Sequence, residues 1–152
     1  MKWKIFVVLI FLIIAIQFIP YGRNHVNPPV VSEPDWDSAQ TRAFFVVACA
    51  DCHSHETKWP WYSRVAPVSW LVQHDVQEGR EHFNVSLWGV QKKNRGQDAA
   101  DEVRDGDMPP LMYRLGHSEA RLSDEGRGQF VRGLAATFPE REERPGNERE
   151  DD

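Results

Sequence analysis

Two cysteines and a histidine form the short run Cys49-Ala50-Asp51-Cys52-His53. This C-x-x-C-H spacing is typical of covalent haem attachment, because two thiols at a fixed short separation bond the two vinyl groups and the adjacent imidazole binds the iron. Cysteines three residues apart lie about one turn apart on one face of a helix. The run therefore predicts one haem c, attached through Cys49 and Cys52 with His53 as the proximal ligand.

The same run has three other interpretations. A redox dithiol of the thioredoxin type would sit in a βαβ pattern, which is not visible here, and a structural disulfide is the related alternative. A zinc site closed by four ligands would have to recruit two histidines, because the chain has no second cysteine pair. A chance run in an ordinary helix is the third. We favour haem and keep these three as alternatives.

The second axial ligand is a separate question. Beyond the N-terminal segment the only methionines are Met108 and Met112, and Met108 precedes two prolines that stiffen the backbone around it. A rigid loop is suited to holding a weak thioether ligand at iron, so Met108 is the predicted distal ligand, with ordinary core packing as the alternative. His55 is too close to His53 to reach the opposite face of the ring. His25 lies in the expected linker, and His74, His82 and His117 are the alternatives if a histidine rather than Met108 is the distal ligand.

The N-terminal stretch contains the apolar run Ile5–Pro20, which is interrupted only by Gln17. With its flanking aromatics it is about 19 residues long, near the lower limit for a membrane-spanning helix, and no small-x-small cleavage site follows it. We expect residues 1–21 to be an uncleaved membrane anchor, with a cleaved signal peptide as the rival. Because Lys2 and Lys4 should remain cytoplasmic, the body of the protein is expected on the periplasmic face of a bacterial inner membrane.

The rest of the chain divides into three parts. Residues 22–36 are rich in proline and polar groups and are expected to be a linker, residues 37–138 form the haem domain, and residues 139–152 form a disordered acidic tail. The formal net charge is -5, and no basic stripe is interleaved with aromatics. Nucleic acid is therefore not an expected partner.

Apolar periodicity and end signals predict an all-α domain. The expected helices run from Asp37 or Ser38 into the cysteine motif, from Pro67 to about His82, from Asp98 to Arg104 before Gly106, and from a cap at Ser123 to about Phe138. The first helix should turn one apolar face towards the haem or the core, made of Ala43, Phe44, Val47 and Ala48. The second helix has an apolar face made of Val68, Leu71, Val72 and Val76.

Over roughly residues 35–138 the sequence resembles the small haem-binding domain family, which is related to the monohaem class I c-type cytochromes. The blocks that carry this resemblance are Cys49-x-x-Cys52-His53, Trp59-Pro60-Trp61-Tyr62-Ser63, Ala66-Pro67-Val68-Ser69-Trp70, Asp75-Val76-x-Glu78-Gly79-Arg80, Met108-Pro109-Pro110 and Ala120-Arg121-Leu122-Ser123. The resemblance implies a cytochrome c-like helical fold, thioethers at Cys49 and Cys52, proximal His53 and, by similarity to the Met-Pro-Pro loop of small cytochromes, distal Met108. Three glycines in the last helix depart from what we expect of a good helix, at Gly126, Gly128 and Gly133.

These observations favour an electron carrier over an enzyme. A periplasmic haem c protein attached to the membrane would exchange electrons with an unknown redox partner and transform no substrate. Two alternatives require an open sixth position at the iron: a haem-based sensor or small-ligand binder, and a peroxidase-like enzyme. Ligation by Met108 would discriminate between the carrier and these alternatives.

Overall fold

The computed structural model describes residues 2–139, and over these residues the chain is helical apart from loops and one isolated bridge between Ser32 and Leu87. The α-helices are α1 (Lys2–Ile16), α2 (Ala39–Ala48), α3 (Ala50–His53), α4 (Val68–His82), α5 (Ala99–Asp105), α6 (Leu111–Gly116) and α7 (Asp124–Thr137). Short 3₁₀ helices cover Trp61–Arg64, Gly96–Asp98 and Ser118–Ala120. The predicted all-α class is confirmed. The acidic tail lies outside the described residues from residue 140 onwards.

Local capping explains where the helices begin and end. The Ser38 hydroxyl accepts the N–H of Thr41 at 3.2 Å, and the Ser123 hydroxyl accepts the N–H of Gly126 at 3.1 Å, so both serines cap their helices as predicted. Gly106 ends α5 in the left-handed region, with φ of 86°, where a side chain would be strained. Helix α4 begins at Val68, directly after the proline predicted to start it.

The hydrophobic core lies between α2, α5 and α7, with α7 packed against both of the other helices. Phe45, Phe130 and Leu134 are almost fully buried there, and Phe83 and Phe138 extend the cluster. Close approach of α2 to α7 depends on Gly133, because a Cβ at this position would overlap the Thr41 side chain. One of the three glycines that weaken the last helix is therefore explained by helix packing.

The predicted apolar faces of α2 and α4 are buried only in part. Helix α2 buries Thr41, Phe45 and the predicted Ala48, whereas Ala43 is exposed. Helix α4 buries Ser69, Gln73 and the predicted Val76, whereas Val68 and Leu71 are exposed. Close contact with neighbouring backbone favours small residues on the inner side of α4, so hydrophobicity alone does not reveal that side.

Helix α1 differs from the expected anchor. It contains 15 residues, about 22 Å in length, ends at Ile16 and has no buried residue. Among residues 2–139, no helix combines the length with the apolar character that crossing a membrane requires.

The segment predicted as a linker lies against the domain. The Asn27 amide donates to the carbonyl of Thr57 at 2.9 Å. The His25 ring stacks on Trp59 with 4.4 Å between centroids, and its Nε2 lies 3.0 Å from the carbonyl oxygen of Ser63. Residues 22–36 are therefore hydrogen-bonded to the surface of the helical domain rather than extended through solvent.

Candidate functional site

The two cysteines lie where α2 meets α3. Cys49 separates the two helices with a non-helical φ of -132°, and its carbonyl accepts the N–H groups of Cys52 at 3.1 Å and His53 at 2.9 Å. Both cysteines are free and partly buried. The motif is therefore one tight turn of chain that presents two thiols and ends on the imidazole.

The His53 ring is held by backbone carbonyls on one side only. Its Nδ1 lies 2.9 Å from the carbonyl oxygen of Phe83 and 3.0 Å from that of Gly79. Carbonyl oxygens can only accept, so Nδ1 carries the proton and Nε2 keeps its lone pair. Burial lowers the pKa of His53, against the opposing effect of the two carbonyls. The result is a neutral imidazole with Nε2 available, which is the form that binds a metal.

Helix α4 and the residue that follows it supply the two acceptors, because α4 packs directly on the motif. A Cβ at Gly79 would lie 2.6 Å from the carbonyl oxygen of Cys52, so only glycine permits this approach. Phe83 follows the last residue of α4, and its ring centroid lies 5.4 Å from that of His53. Neither role was predicted from the sequence. Backbone acceptors have no side-chain signature, and the glycine in the Glu78-Gly79-Arg80 block was the only available signal.

The thiols are electrostatically unsuited to dithiol redox chemistry. Burial raises the pKa of Cys49. Burial, followed by the nearby carboxylates of Asp75 and Asp51, raises the pKa of Cys52 to about 12, although Arg80 opposes this. Reactive C-x-x-C pairs depend on a lowered thiol pKa. The site therefore gives no support to the thioredoxin-type interpretation.

Met108 lies between α5 and α6, and its N–H donates to the carbonyl of Glu102 at 3.0 Å. Its half-buried side chain packs against the core cluster that includes Phe83, and Cys49 packs against the same cluster. Met112 is 72% exposed. Of the two methionines, Met108 is the one that shares a buried environment with the cysteine motif. Ligation by Met108 stays a prediction.

Helix α6 was not predicted, yet it connects the Met108 segment to the motif. The Tyr113 hydroxyl donates to Oδ2 of Asp51 at 2.8 Å, and the other carboxylate oxygen of Asp51 accepts the N–H of Lys58 at 2.8 Å. The His117 ring stacks on Tyr113 at 3.9 Å, and its Nε2 lies 4.0 Å from Asp51. Asp51 is therefore the residue through which α6 contacts the turn that carries the two thiols.

The other histidines have different surroundings. The Nδ1 of His55 lies 2.8 Å from the carbonyl oxygen of Pro29, and its Nε2 lies 3.0 Å from the amide nitrogen of Asn84, so neither nitrogen is free for a metal. His74 is exposed beside Glu78, and His82 is exposed at the end of α4. None of these three is arranged like His53.

Within residues 2–139, His, Cys, Asp and Glu side chains form no group of three or more that could hold a metal ion, which leaves the zinc interpretation without ligands.

The family model for the haem-binding domain matches residues 11–136. The chain belongs to the haem-binding domain family. No curated protein and no solved structure matches it. The matched region begins inside α1 and includes the segment expected to be a linker, so this segment is part of the haem-binding domain.

The donor set of this haem-binding domain suits haem. Cys49 and Cys52 present free thiols one helical turn apart, His53 offers Nε2, and Met108 offers a soft thioether from a proline-stiffened segment. Cys49 and Cys52 would hold the edge of the ring, and His53 would bind the iron.

Proposed function

We propose that this protein is an electron carrier that binds haem c covalently through Cys49 and Cys52, with His53 and Met108 as axial ligands. One observation carries the proposal: the imidazole of His53 is fixed by two backbone carbonyls in the tautomer that leaves Nε2 free, directly after two free thiols.

The surrounding residues favour electron transfer over substrate chemistry. Bound haem supplies a one-electron redox couple at its iron. His53 is oriented by its bonds to Gly79 and Phe83, so the ligand need not rearrange between oxidation states. Buried aromatic side chains around Phe83 and Phe138 exclude water from the interior next to the motif. With Met108 as sixth ligand, no coordination position is left for a substrate.

We also propose that residues 1–21 hold the protein at a bacterial inner membrane with the haem domain in the periplasm. The support is the exposure of α1: Phe11 is 69% exposed and Ile10 is 42% exposed, and only Ala15 and Ile16 at the end of the helix are half-buried. Such a surface is costly in water and is stabilised by lipid. Lys2 and Lys4 precede it on the side expected to remain cytoplasmic.

Visible and near-infrared spectra of the purified protein test the carrier proposal. Oxidised protein should show the weak far-red charge-transfer band of a methionine–iron bond, and reduced protein should bind carbon monoxide slowly or not at all. Met108→Ala should abolish the band and admit carbon monoxide. Met112→Ala is the matched control and should change neither, since its side chain lies on the surface. Rapid carbon monoxide binding by the unmodified protein would instead favour a sensor or a peroxidase-like enzyme.

Covalent attachment has its own test. Acid-acetone extraction should leave the colour with the polypeptide, and replacement of both Cys49 and Cys52 by alanine should release it. Loss of colour from the unmodified protein would contradict the assignment of haem c.

A further inference from the structure

An exposed apolar surface covers the beginning of α4 and the turn before it. We call this surface the Val65 face; its members are Trp61 (80% exposed), Val65 (45%), Val68 (43%) and Leu71 (54%). Val65, Val68 and Leu71 are spaced three residues apart, and a helical hydrogen bond already joins the carbonyl of Val65 to the N–H of Ser69. Farther along α4 the exposed positions are all polar: His74, Asp75, Gln77, Glu78, Glu81 and His82. The apolar surface is thus confined to one end of the helix.

The chain that leaves α1 is fastened beside this face. The Gln17 side chain donates to the carbonyl of Ala66 at 2.9 Å and accepts the N–H of Ala66 at 3.0 Å. Five residues later, a Cβ at Gly22 would lie 2.5 Å from the carbonyl oxygen of Ser69, so backbone meets backbone there. The end of α1 is therefore held directly next to the Val65 face.

We infer that the Val65 face rests on the surface of the phospholipid bilayer that takes up α1, so that the domain lies flat on the membrane. This inference rests on the proposed membrane attachment. Because Gln17 is bound to Ala66, the end of α1 is fixed next to Val65, and a bilayer that takes up α1 therefore lies beside the Val65 face. Trp61 and Tyr21 are the residue types that favour the interface between headgroups and acyl chains.

Charge next to the face agrees with an anionic lipid surface. Arg64 is exposed in the same short helix as Trp61, and Arg23 is exposed beside Gly22. Cations close to a bilayer are attracted to anionic headgroups. The acidic positions of α4, Asp75, Glu78 and Glu81, lie one to three turns away from Leu71, towards the other end of the helix.

Nitroxide labels on the full-length holoprotein test this inference. Cys49 and Cys52 are the only cysteines and are consumed by the haem, so an introduced cysteine is labelled selectively. The test variants are Val65→Cys and Leu71→Cys. Glu125→Cys is the control, because it is exposed on α7, which packs against α2 and α5 rather than α4. Ile10→Cys reports on α1 itself.

In vesicles of phosphatidylcholine and phosphatidylglycerol, collisions with oxygen and with a water-soluble nickel chelate are measured by power saturation. The ratio of oxygen to nickel accessibility should be several-fold higher at positions 65 and 71 than at position 125. If positions 65 and 71 match position 125 while position 10 is in lipid, the inference is overturned and the proposed attachment stands. If position 10 is in water, both fail. Shielding of positions 65 and 71 from both reagents marks a protein contact and overturns the lipid assignment.

Discussion

The hydroxyl of Tyr113 donates a 2.8 Å hydrogen bond to Oδ2 of Asp51, which lies between the two cysteines of the C-x-x-C-H motif. Burial, and then the charge of Asp51, raises the pKa of Tyr113, so the phenol keeps its proton and acts as the donor. Tyr113 belongs to α6, which begins directly after Met108-Pro109-Pro110. The position of the candidate distal ligand is therefore coupled to the turn that carries the thiols.

Replacement Tyr113→Phe should loosen this coupling. We expect the free energy of unfolding to fall by about 1 kcal/mol, because a partly buried acceptor on Asp51 loses its donor. Carbon monoxide should bind the reduced variant faster, as Met108 is held less firmly. Urea titration and stopped-flow mixing measure the two effects. Tyr21→Phe is the control, since the Tyr21 hydroxyl donates to the side chain of Gln77 at 3.4 Å rather than to Asp51. Equal carbon monoxide rates in the two variants would show that Met108 is held independently of this bond.

Replacement Gly79→Ala should disturb the proximal side. The added methyl group would lie 2.6 Å from the Cys52 carbonyl oxygen, so α4 must shift away from α3 and carry its carbonyls away from His53. Overpacking of this kind costs about 1–3 kcal/mol of stability. The spectrum should also gain high-spin character, which a purely structural loss would not produce. An unchanged spectrum would indicate that the His53 bonds tolerate the shift.

Two glycines in α7 should respond in opposite directions. Gly133→Ala should destabilise the fold by several kcal/mol or prevent folding, because the methyl group would overlap Thr41 on α2. Gly128→Ala should stabilise it by about 0.5–1 kcal/mol, because the nearest side-chain atom is the end of Arg132 at 3.6 Å and alanine favours the helix. Thermal unfolding of both variants measures the contrast. Similar melting temperatures would mean that α2 and α7 do not pack as closely as described.

Glu33 should make stability depend on pH. Its carboxylate accepts from Nε of Arg42 at 3.0 Å, from a second Arg42 nitrogen at 2.8 Å and from the Trp36 indole at 3.1 Å. The Arg42 hydrogen bonds hold the pKa of Glu33 below its usual 4.5, outweighing partial burial. The carboxylate therefore stabilises the folded state above pH 4.5, and this contribution is lost as the pH falls through the lower folded value.

The variant Glu33→Gln tests that dependence. At neutral pH it should lower the free energy of unfolding by about 1 kcal/mol, less than a buried charge-assisted bond contributes, because the Arg42 side chain is 43% exposed and the ion pair is screened by solvent. The difference from the parent protein should shrink as the pH falls below 4.5. Urea titrations at neutral and acidic pH measure it. A difference that stays constant with pH would show that the charge of Glu33 contributes nothing.

Helix ends were predictable because they depend on local chemistry. Ser38, Ser123 and Gly106 each act on backbone groups within a few residues, so their types and spacing suffice. The inward faces were not predictable in the same way. Helix α4 packs through small and polar residues such as Ser69, whereas its apolar Leu71 is exposed, and that choice depends on neighbours far away in sequence.

The candidate site was likewise predictable only where its residues are close together in the sequence. Cys49, Cys52 and His53 lie within five residues, and their spacing alone indicates haem attachment. The acceptors for His53 are main-chain oxygens 26 and 30 residues away, which no residue type signals. The bond between Tyr113 and Asp51 joins positions 62 residues apart and depends on α6, a six-residue helix without a periodic pattern.

The hydrogen bonds of the buried His55 ring show that the segment before α2 belongs to the part of the chain that folds as one unit. One of its nitrogens bonds the carbonyl of Pro29 and the other the amide of Asn84, so a chain cut at Asp37 would leave an interior polar group without its partner. Such a cut would also remove Asn27, which bonds both Thr57 and Arg80. A truncated protein that folds on its own must therefore start upstream of Asn27, about ten residues before the first core helix. The residues between Asn27 and that helix are a structural part of the haem domain.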